Sequence, residues 1–250
     1  MPNPISKTAL AGVFAAILAS SPVAAQARDL KIPPASYPKV ATHAASPEAF
    51  APKGWRVEFT AQGDLNGDGA ADIALVLRDT DPGKIIDNDG FGPPRFNTNP
   101  RLLVVVFRNP AGGYDLALEN HTLIPRGTEP NLDDVLEDGA PPVIAGGALK
   151  LSLSLFANAG GWDAGQMSFA FRWRDGRWGL VGYDSSMVQR NSGETTDVSV
   201  NFLTRKIKRT TGRIDSDKNQ VRWTSLPPGP LLSVDEVGDG MTFEGERVSR

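Results

Sequence analysis

The sequence predicts an all-β fold with at most a minor helix. Segments in which apolar and polar residues alternate recur at intervals of about 8 to 20 residues. Turn-forming residues separate these segments, and no crossover helices lie between them. We therefore expect one antiparallel, strongly twisted sheet, a sandwich or a partly closed barrel.

Residues 1–27 predict a secretory signal peptide. Lys7 precedes an apolar run of small residues, and Ala25-Gln26-Ala27 matches an A-x-A cleavage signal. This run is too short to span a bilayer and no later segment is long enough, so we expect no transmembrane segment in the mature chain. The expected location is periplasmic or secreted. The sequence contains no cysteine, which excludes a disulfide framework and a lipid anchor on cysteine.

The rest of the chain predicts one domain behind a short leader. Residues 28–52 are rich in proline and alanine, and we expect an extended leader that lies on the surface or stays flexible. Residues 53–250 contain all the strand-like segments and predict a single β-rich domain. The principal predicted strands are Trp55–Ala61, Asp72–Arg78, Arg101–Arg108, Tyr114–Glu119, Ala148–Phe156, Gln166–Arg174 and Thr195–Lys208.

A pair of tryptophans is predicted to face each other across a hairpin. Asp175-Gly176 is typical of a two-residue turn, and such a turn places Trp173 opposite Trp178. We expect this aromatic cluster to pack in the core. The alternative is an exposed platform on which a sugar or a peptide stacks.

Several segments between the strands are irregular. Asp79–Pro100 is a long insertion, and loops of that length in compact domains are usually functional. Within it, Asp87–Gly90 resembles an incomplete second cation loop, although a turn is the simpler interpretation. Leu132–Asp138 predicts one helical turn, and Asp215–Asn219 predicts another tight turn.

The most informative stretch is an acidic loop between the first two predicted strands. Residues 63–77 read GDLNGDGAADIALVL, which places acidic or amide side chains at loop positions 1, 3, 5 and 9. Ca²⁺ prefers six to eight oxygen ligands, and a glycine at position 6 allows the sharp turn that brings alternate side chains together. The position-7 residue would contribute its carbonyl oxygen. The candidate metal ligands are Asp64, Asn66, Asp68, Ala70 and Asp72.

The motif D-x-N-x-D-G-x-x-D, followed directly by a strand, resembles the calcium loop of FG-GAP/VCBS repeats. That resemblance implies that these five residues bind Ca²⁺. Leu75 stands where an EF-hand loop needs a bidentate glutamate, so the motif is not an EF-hand. The sequence shows one complete loop and no recurring period, so we do not expect a propeller. The alternative is a hairpin turn whose carboxylates are only solvated.

The C-terminal half carries a second resemblance. Its segments AGGW (159–162), FRWRDGRWGLVGYDSS (171–186) and VSVNFLTRKI (198–207) are similar to a group of exported bacterial proteins with no assigned activity. These motifs consist of turns, a tryptophan pair and a strand. The resemblance therefore supports the fold and the compartment.

The net charge and the absence of common catalytic motifs argue against several classes of function. The formal net charge is −3, and the basic cluster Arg205–Arg213 lies in a strand-like segment, so we expect no nucleic-acid partner. There is no cysteine nucleophile and no G-x-S-x-G motif. His43 and His121 lie in different segments. Only His121 could serve a serine triad, and a hydrogen bond in a turn explains it equally well.

These observations favour a non-enzymatic, exported, calcium-binding β-domain. Ca²⁺ would act as a structural staple, and the domain would bind a protein or glycan of the cell envelope. A hydrolase of envelope polymers that uses paired carboxylates near Asp79–Pro100 is the first alternative. An inhibitor of an enzyme in the periplasm is the second, and it depends on the expected compartment alone.

Overall fold

Two large antiparallel sheets form the fold in the part of the chain that the structure describes. The computed structural model describes residues 30–136 and 141–247, so the predicted signal peptide lies outside the described residues. The strands are β1 (His43–Ala44), β2 (Trp55–Gly63), β3 (Asp72–Asp79), β4 (Ile85–Asp87), β5 (Arg95–Asn97), β6 (Arg101–Arg108), β7 (Tyr114–Asn120), β8 (Val143–Ala145), β9 (Ala148–Phe156), β10 (Asp163–Arg174), β11 (Arg177–Gln189), β12 (Glu194–Asn201), β13 (Lys206–Arg213) and β14 (Ser216–Ser225).

The strands form a five-stranded sheet, a seven-stranded sheet and a small ribbon. The five-stranded sheet has the order β1-β7-β6-β3-β2, and the seven-stranded sheet has the order β14-β13-β12-β11-β10-β9-β8. β4 and β5 pair separately within the insertion. The all-β prediction is confirmed, and the sandwich is the predicted arrangement that the structure shows.

The main apolar core lies between the two large sheets. Alternating leucines on β9 point into it, while Lys150 on the same strand is exposed, as a strand with one wet face requires. The opposite sheet contributes every second residue of β3 and β6. The residues at the centre of this interface are Ala74, Val76, Leu103, Val105, Leu149, Leu151, Leu153, Phe169 and Phe171.

A second, smaller core covers the other face of the five-stranded sheet. Leu75, Leu77 and Val104 point into it, so β3 and β6 are buried on both faces. The chain before residue 53 supplies the cover, because Val40 and Phe50 are buried there and β1 pairs with β7. The described part of the predicted leader is thus an extended segment attached to the sheet.

The prediction of one continuous strand over Thr195–Lys208 is wrong. It contains two antiparallel strands, β12 and β13, joined by a turn. The Asn201 side chain accepts the N–H groups of Leu203 and Thr204, and Arg205 adopts a φ of 58°. No glycine or proline marks this turn, so the alternation of apolar residues hides it.

The prediction of a turn over Asp215–Asn219 is also wrong, because the turn is shorter and begins earlier. β13 continues to Arg213, which pairs with Ser216, so only two residues turn the chain. Asp217 and Asn219 belong to β14, whose residues are exposed throughout. Polar side chains are acceptable in this strand because neither of its faces is buried.

The α-helix found among the described residues lies where the sequence does not predict one. Leu132 forms an isolated bridge with Ala157, and the described part of Leu132–Asp138 is not helical; its last two residues lie outside the described residues. α1 is Val234–Val237, which begins with a capping box at Ser233. Short 3₁₀ helices are Pro47–Phe50, Pro82–Lys84 and Gly245–Arg247. Among the described residues, no helix has the length and apolarity needed to cross a membrane.

The tryptophan hairpin forms as predicted and packs in the core. Trp173 lies opposite Trp178, and the turn is Asp175-Gly176. Trp178 is buried and donates its indole N–H to the Ala117 carbonyl at 3.0 Å, while Trp173 meets the Phe107 ring edge to face. These contacts join the two sheets and leave no exposed stacking platform at this pair.

Candidate functional site

The acidic loop connects β2 to β3, as the sequence predicts. Gly63 pairs with Asp72 at the base of this hairpin, and the loop runs between them. Gly67 and Gly69 adopt φ angles of 84° and 83°. Residues with a Cβ rarely adopt this backbone conformation, so both glycines are needed for the loop to turn as it does.

Three of the predicted ligands organise the loop through their side chains. Asp64 accepts the N–H groups of Gly67 and Gly69 at 2.7 and 3.0 Å. Asp68 accepts the Ala70 N–H at 2.7 Å. The side-chain oxygen of Asn66 accepts the backbone N–H of Asp68, and its NH2 group donates to the Asp68 carboxylate. The side chains at loop positions 1, 3 and 5 therefore stabilise successive turns of the backbone.

Asp72 has a different environment from the other candidate ligands. Its side chain is fully buried, and its carboxylate accepts three backbone N–H groups. Two of them come from Leu65 and Asn66 in the loop, and the third comes from Arg108 at the end of β6. Asp72 thus ties the loop to a neighbouring strand. Its proposed contact with a cation stays a prediction.

The pKa of Asp72 is raised above its ordinary value. Burial is the largest cause, because it disfavours the charged form. The three N–H donors oppose this effect, and the nearby charge of Asp68 adds to it. A cation close to Asp72 would favour the ionised form and act against the rise.

The chemistry of the loop is suited to Ca²⁺. Its side chains offer carboxylate and amide oxygens, which are the ligands that hard cations prefer. A carboxylate has about four lone-pair sites, and the hydrogen bonds described above use only part of those on Asp64 and Asp68. Within residues 30–136 and 141–247, no three His, Cys, Asp or Glu side chains are grouped as a preformed metal cluster. The loop thus offers donor types that hard cations bind, without a preformed cluster in the described residues.

A cleft of about 660 Å³ lies beside the loop, between the two sheets. One wall is the loop itself, from Gly63 to Gly67. The other wall is formed by the β8–β9 turn at Gly146-Gly147 and by the end of β10, where Arg172 and Arg174 are exposed. Carboxylate, amide and guanidinium groups thus face the same space.

A network of buried charges on the five-stranded sheet was not predicted from the sequence. Arg101 is 7% exposed and forms forked contacts with Glu58 and Asp134, with shortest distances of 2.6 and 2.7 Å. Arg78 contacts the same two carboxylates at 2.9 and 3.4 Å. The carboxylates therefore neutralise two arginines that stand opposite each other on β3 and β6.

A β-bulge explains the position of Glu58. The register of β2 against β3 shifts between Val57 and Phe59, so Glu58 is the extra residue. The bulge turns its side chain toward the arginines. Simple alternation along β2 cannot predict this orientation, although the opposed arginines on β3 and β6 are a signal that a partner is required.

The arginines lower the pKa values of both carboxylates in the network. Burial alone would raise the pKa of Glu58, but hydrogen bonds and charges from Arg101 and Arg78 outweigh it. The same balance lowers the pKa of Asp134. Burial alone would lower the pKa of Arg101, but the hydrogen bonds that it donates to Glu58 and Asp134 outweigh burial and raise this pKa. Glu58, Asp134 and Arg101 thus stay ionised at neutral pH.

We expect this network to make the protein sensitive to acid. A carboxyl whose pKa is lowered by folding stabilises the fold above its unfolded pKa, and the contribution is lost as pH falls through its folded pKa. The free energy of unfolding should therefore fall below about pH 4. Asp72 acts in the opposite direction, because its pKa is raised. Urea unfolding at a series of pH values measures the net slope.

A matched pair of variants assigns that slope to the network. Glu58→Gln removes one titrating group, so the free energy of unfolding should decrease less steeply as the pH falls (the acid limb of the stability profile). Glu48→Gln changes an exposed glutamate in a 3₁₀ helix and should leave the limb unchanged. An acid limb that is equally steep in both variants would contradict the assignment.

The insertion Asp79–Pro100 is held together by its own ion pairs and turns. Lys84 is largely buried and contacts Asp79 and Asp81 at 2.9 and 2.7 Å. At Asp87–Gly90 the chain forms a turn, as predicted, in which the Asn88 side chain bonds three backbone groups. Asp87 pairs with Arg95. These contacts give the insertion a defined shape.

Both histidines have local structural contacts. His43 Nδ1 lies 2.7 Å from Asp115 on the adjacent strand β7. His121 stacks on Tyr37, with ring centroids 4.5 Å apart. His121 thus anchors the segment that covers the small core, and no contact with a serine is seen for it in the described part of the chain.

Comparison of the chain with protein-family models, curated proteins and solved structures finds no match. The fold and the site therefore define the class of protein: a two-sheet all-β sandwich with an acidic hairpin loop at one end of its interface. The resemblance of that loop to FG-GAP/VCBS repeats stays a prediction.

Proposed function

We propose that the protein is an exported, calcium-binding β-domain without catalytic activity. Asp64, Asn66, Asp68, the Ala70 carbonyl and Asp72 would bind the ion in the β2–β3 loop. The observation that carries this proposal is the loop itself, in which two left-handed glycines turn the chain and place oxygen donors at alternate positions. Bound Ca²⁺ would neutralise carboxylates that otherwise repel one another.

The position of the loop explains what the ion would do for the fold. β2 lies at the margin of the five-stranded sheet, whereas β3 lies inside it. A cation in the loop would fasten this outer strand to the buried one at their common end. The ion therefore has a structural task, and no chemical step needs to be assigned to it.

The cleft beside the loop supports a binding role. The loop forms one wall, and Arg172, Trp173 and Arg174 line the other, so an ordered loop is needed for the cleft to keep its shape. Guanidinium, amide and carboxylate groups that face one cleft can recognise a glycan or a polar protein segment. We propose that the partner is such a component of the cell envelope.

The geometry gives less support to a hydrolase with paired carboxylates. Such an enzyme needs one carboxyl with a raised pKa as general acid. In the insertion, Asp79 and Asp81 contact Lys84, and Asp87 contacts Arg95. The close pair Glu58 and Asp134 has lowered pKa values because of its arginines. A binding domain is therefore the better proposal.

Thermal unfolding in excess Ca²⁺ and in excess chelator tests the calcium site. A ligand that binds only the folded state stabilises it by about 2.7 kcal/mol at a concentration of 100 Kd. We expect the melting temperature to rise in Ca²⁺, and Asp68→Ala to abolish the rise. Asp68 is exposed and its side chain bonds only within the loop, so its removal should change little in chelator.

Asp87→Ala is the matched control for that experiment. It removes an exposed carboxylate from the other aspartate-rich turn, where Asp87 pairs with Arg95. This variant should keep the full calcium response. Superimposable melting curves of the unmodified protein in Ca²⁺ and in chelator would overturn the proposal and reduce the loop to a hairpin turn.

A further inference from the structure

β14 is a long strand whose outer edge has no neighbouring strand in the described part of the chain. It forms one margin of the seven-stranded sheet and pairs only with β13 among the described strands. Every residue from Ser216 to Ser225 is exposed, which means that the five-stranded sheet covers neither face of it. Unpaired N–H and C=O groups along such an edge are a template for a further strand.

Two large apolar side chains lie on one face of this edge strand. Val221 and Trp223 are 53% and 63% exposed, and their spacing of two places them on the same face. On β13, Thr210 lies opposite Val221 and Lys208 lies opposite Trp223. The next residues across the sheet, on β12, are Asp197 and Ser199, so two rows of side chains run across the three strands. Because the intervening Val198 is buried in the core, these rows form the outer face of the sheet.

Charged residues on β14 restrict which strand can pair with it. Asp217, Lys218 and Arg222 interrupt the apolar positions, a device that prevents indiscriminate pairing of sheet edges. A partner strand must place neutral or opposite groups against these three side chains. The sequence of β14 can itself meet this condition when two copies run antiparallel.

We propose that β14 pairs with β14 of a second copy of this chain, about a two-fold axis at Val221. In this register Val221 faces Val221, and Trp223 of one copy lies opposite Asn219 of the other and diagonal to its Val221. Lys218 faces Thr224, and Arg222 faces Gln220. The two seven-stranded sheets then become one continuous sheet with a shared apolar cluster on its outer face.

The neighbouring symmetric register is excluded by charge. An axis at Gln220 gives equally long overlap, but it places Lys218 directly opposite Arg222 twice. Like charges directly opposite one another in a sheet are destabilising. An axis at Arg222 places that residue opposite itself. The axis at Val221 avoids both conflicts, and the exposure of both faces of β14 allows the second copy to approach.

Single cysteines test this register, because the chain has no cysteine of its own. Val221→Cys places two thiols opposite each other, where the separation of facing Cα atoms suits a disulfide. We expect this variant to form a disulfide-linked dimer on mild oxidation. Asn219→Cys is the matched control on the same strand and face. It should not link to itself, but it should link to Trp223→Cys when the two variants are mixed.

Light scattering after gel filtration tests the dimer without a covalent link. The unmodified protein should have the mass of a dimer, and Val221→Lys should have the mass of a monomer. Ile214→Lys also adds a charge at an exposed apolar position, but Ile214 lies in the β13–β14 turn and not on the free edge. It should remain dimeric. A monomeric unmodified protein, or Asn219→Cys linking as readily as Val221→Cys, would overturn the proposal.

Discussion

Arg101→Ala is expected to lower the free energy of unfolding by about 3–5 kcal/mol, the cost of breaking a buried ion pair by removing one partner. Arg101 is nearly inaccessible and is the principal partner of both Glu58 and Asp134. Without it, Arg78 and the exposed, more distant Arg56 would have to balance these carboxylates. Urea unfolding followed by circular dichroism and by tryptophan fluorescence measures the change, and coincident transitions would show that unfolding stays two-state.

Arg56→Ala is the matched control for the loss of a positive charge near Glu58. The Arg56 side chain is 57% exposed and lies 3.8 Å from Glu58, so its removal should change the free energy of unfolding by less than about 1 kcal/mol. Arg101→Lys keeps the charge but loses the forked contacts, and we expect an intermediate effect. A loss of stability in Arg101→Ala no larger than that in Arg56→Ala would contradict the central role of this network.

The hairpins could be predicted from the sequence because local patterns determine them. β6 and β9 have the predicted bounds, and the Asp175-Gly176 turn sets the register of β10 against β11. Both turn residues adopt positive φ angles, which this dipeptide readily allows. The same reasoning predicts the hairpin that contains the acidic loop. Where the signal lies within a few residues, the sequence is sufficient.

Features that depend on distant contacts could not be predicted in this way. Glu58, Arg101 and Asp134 are far apart in sequence, and their contact depends on a bulge and on the order of strands in the sheet. Val40 and Phe50 are isolated apolar residues in a proline-rich segment, so their burial follows only from the uncovered face of β3 and β6. Composition alone makes that segment look like a flexible leader.

The role of Asp72 in the candidate site likewise became visible only in three dimensions. Its spacing in the sequence matches a calcium ligand, and that contact stays a prediction. The contact that the spacing cannot reveal is the one with the backbone of Arg108, which lies on a strand 36 residues further along the chain. Asp72 therefore has a structural role that does not require an ion.

Asp72→Ala is expected to lower the free energy of unfolding by about 3 kcal/mol in excess chelator as well as in Ca²⁺, because it leaves buried N–H donors without an acceptor. Leu65, Asn66 and Arg108 would lose this partner together. Asp68→Ala, in contrast, should lose stability only when Ca²⁺ is present. Denaturant unfolding of both variants under the two conditions separates an anchor from a ligand. If Asp72→Ala were destabilised only in Ca²⁺, Asp72 would act solely through the ion, and the three N–H contacts would contribute little to the stability of the hairpin.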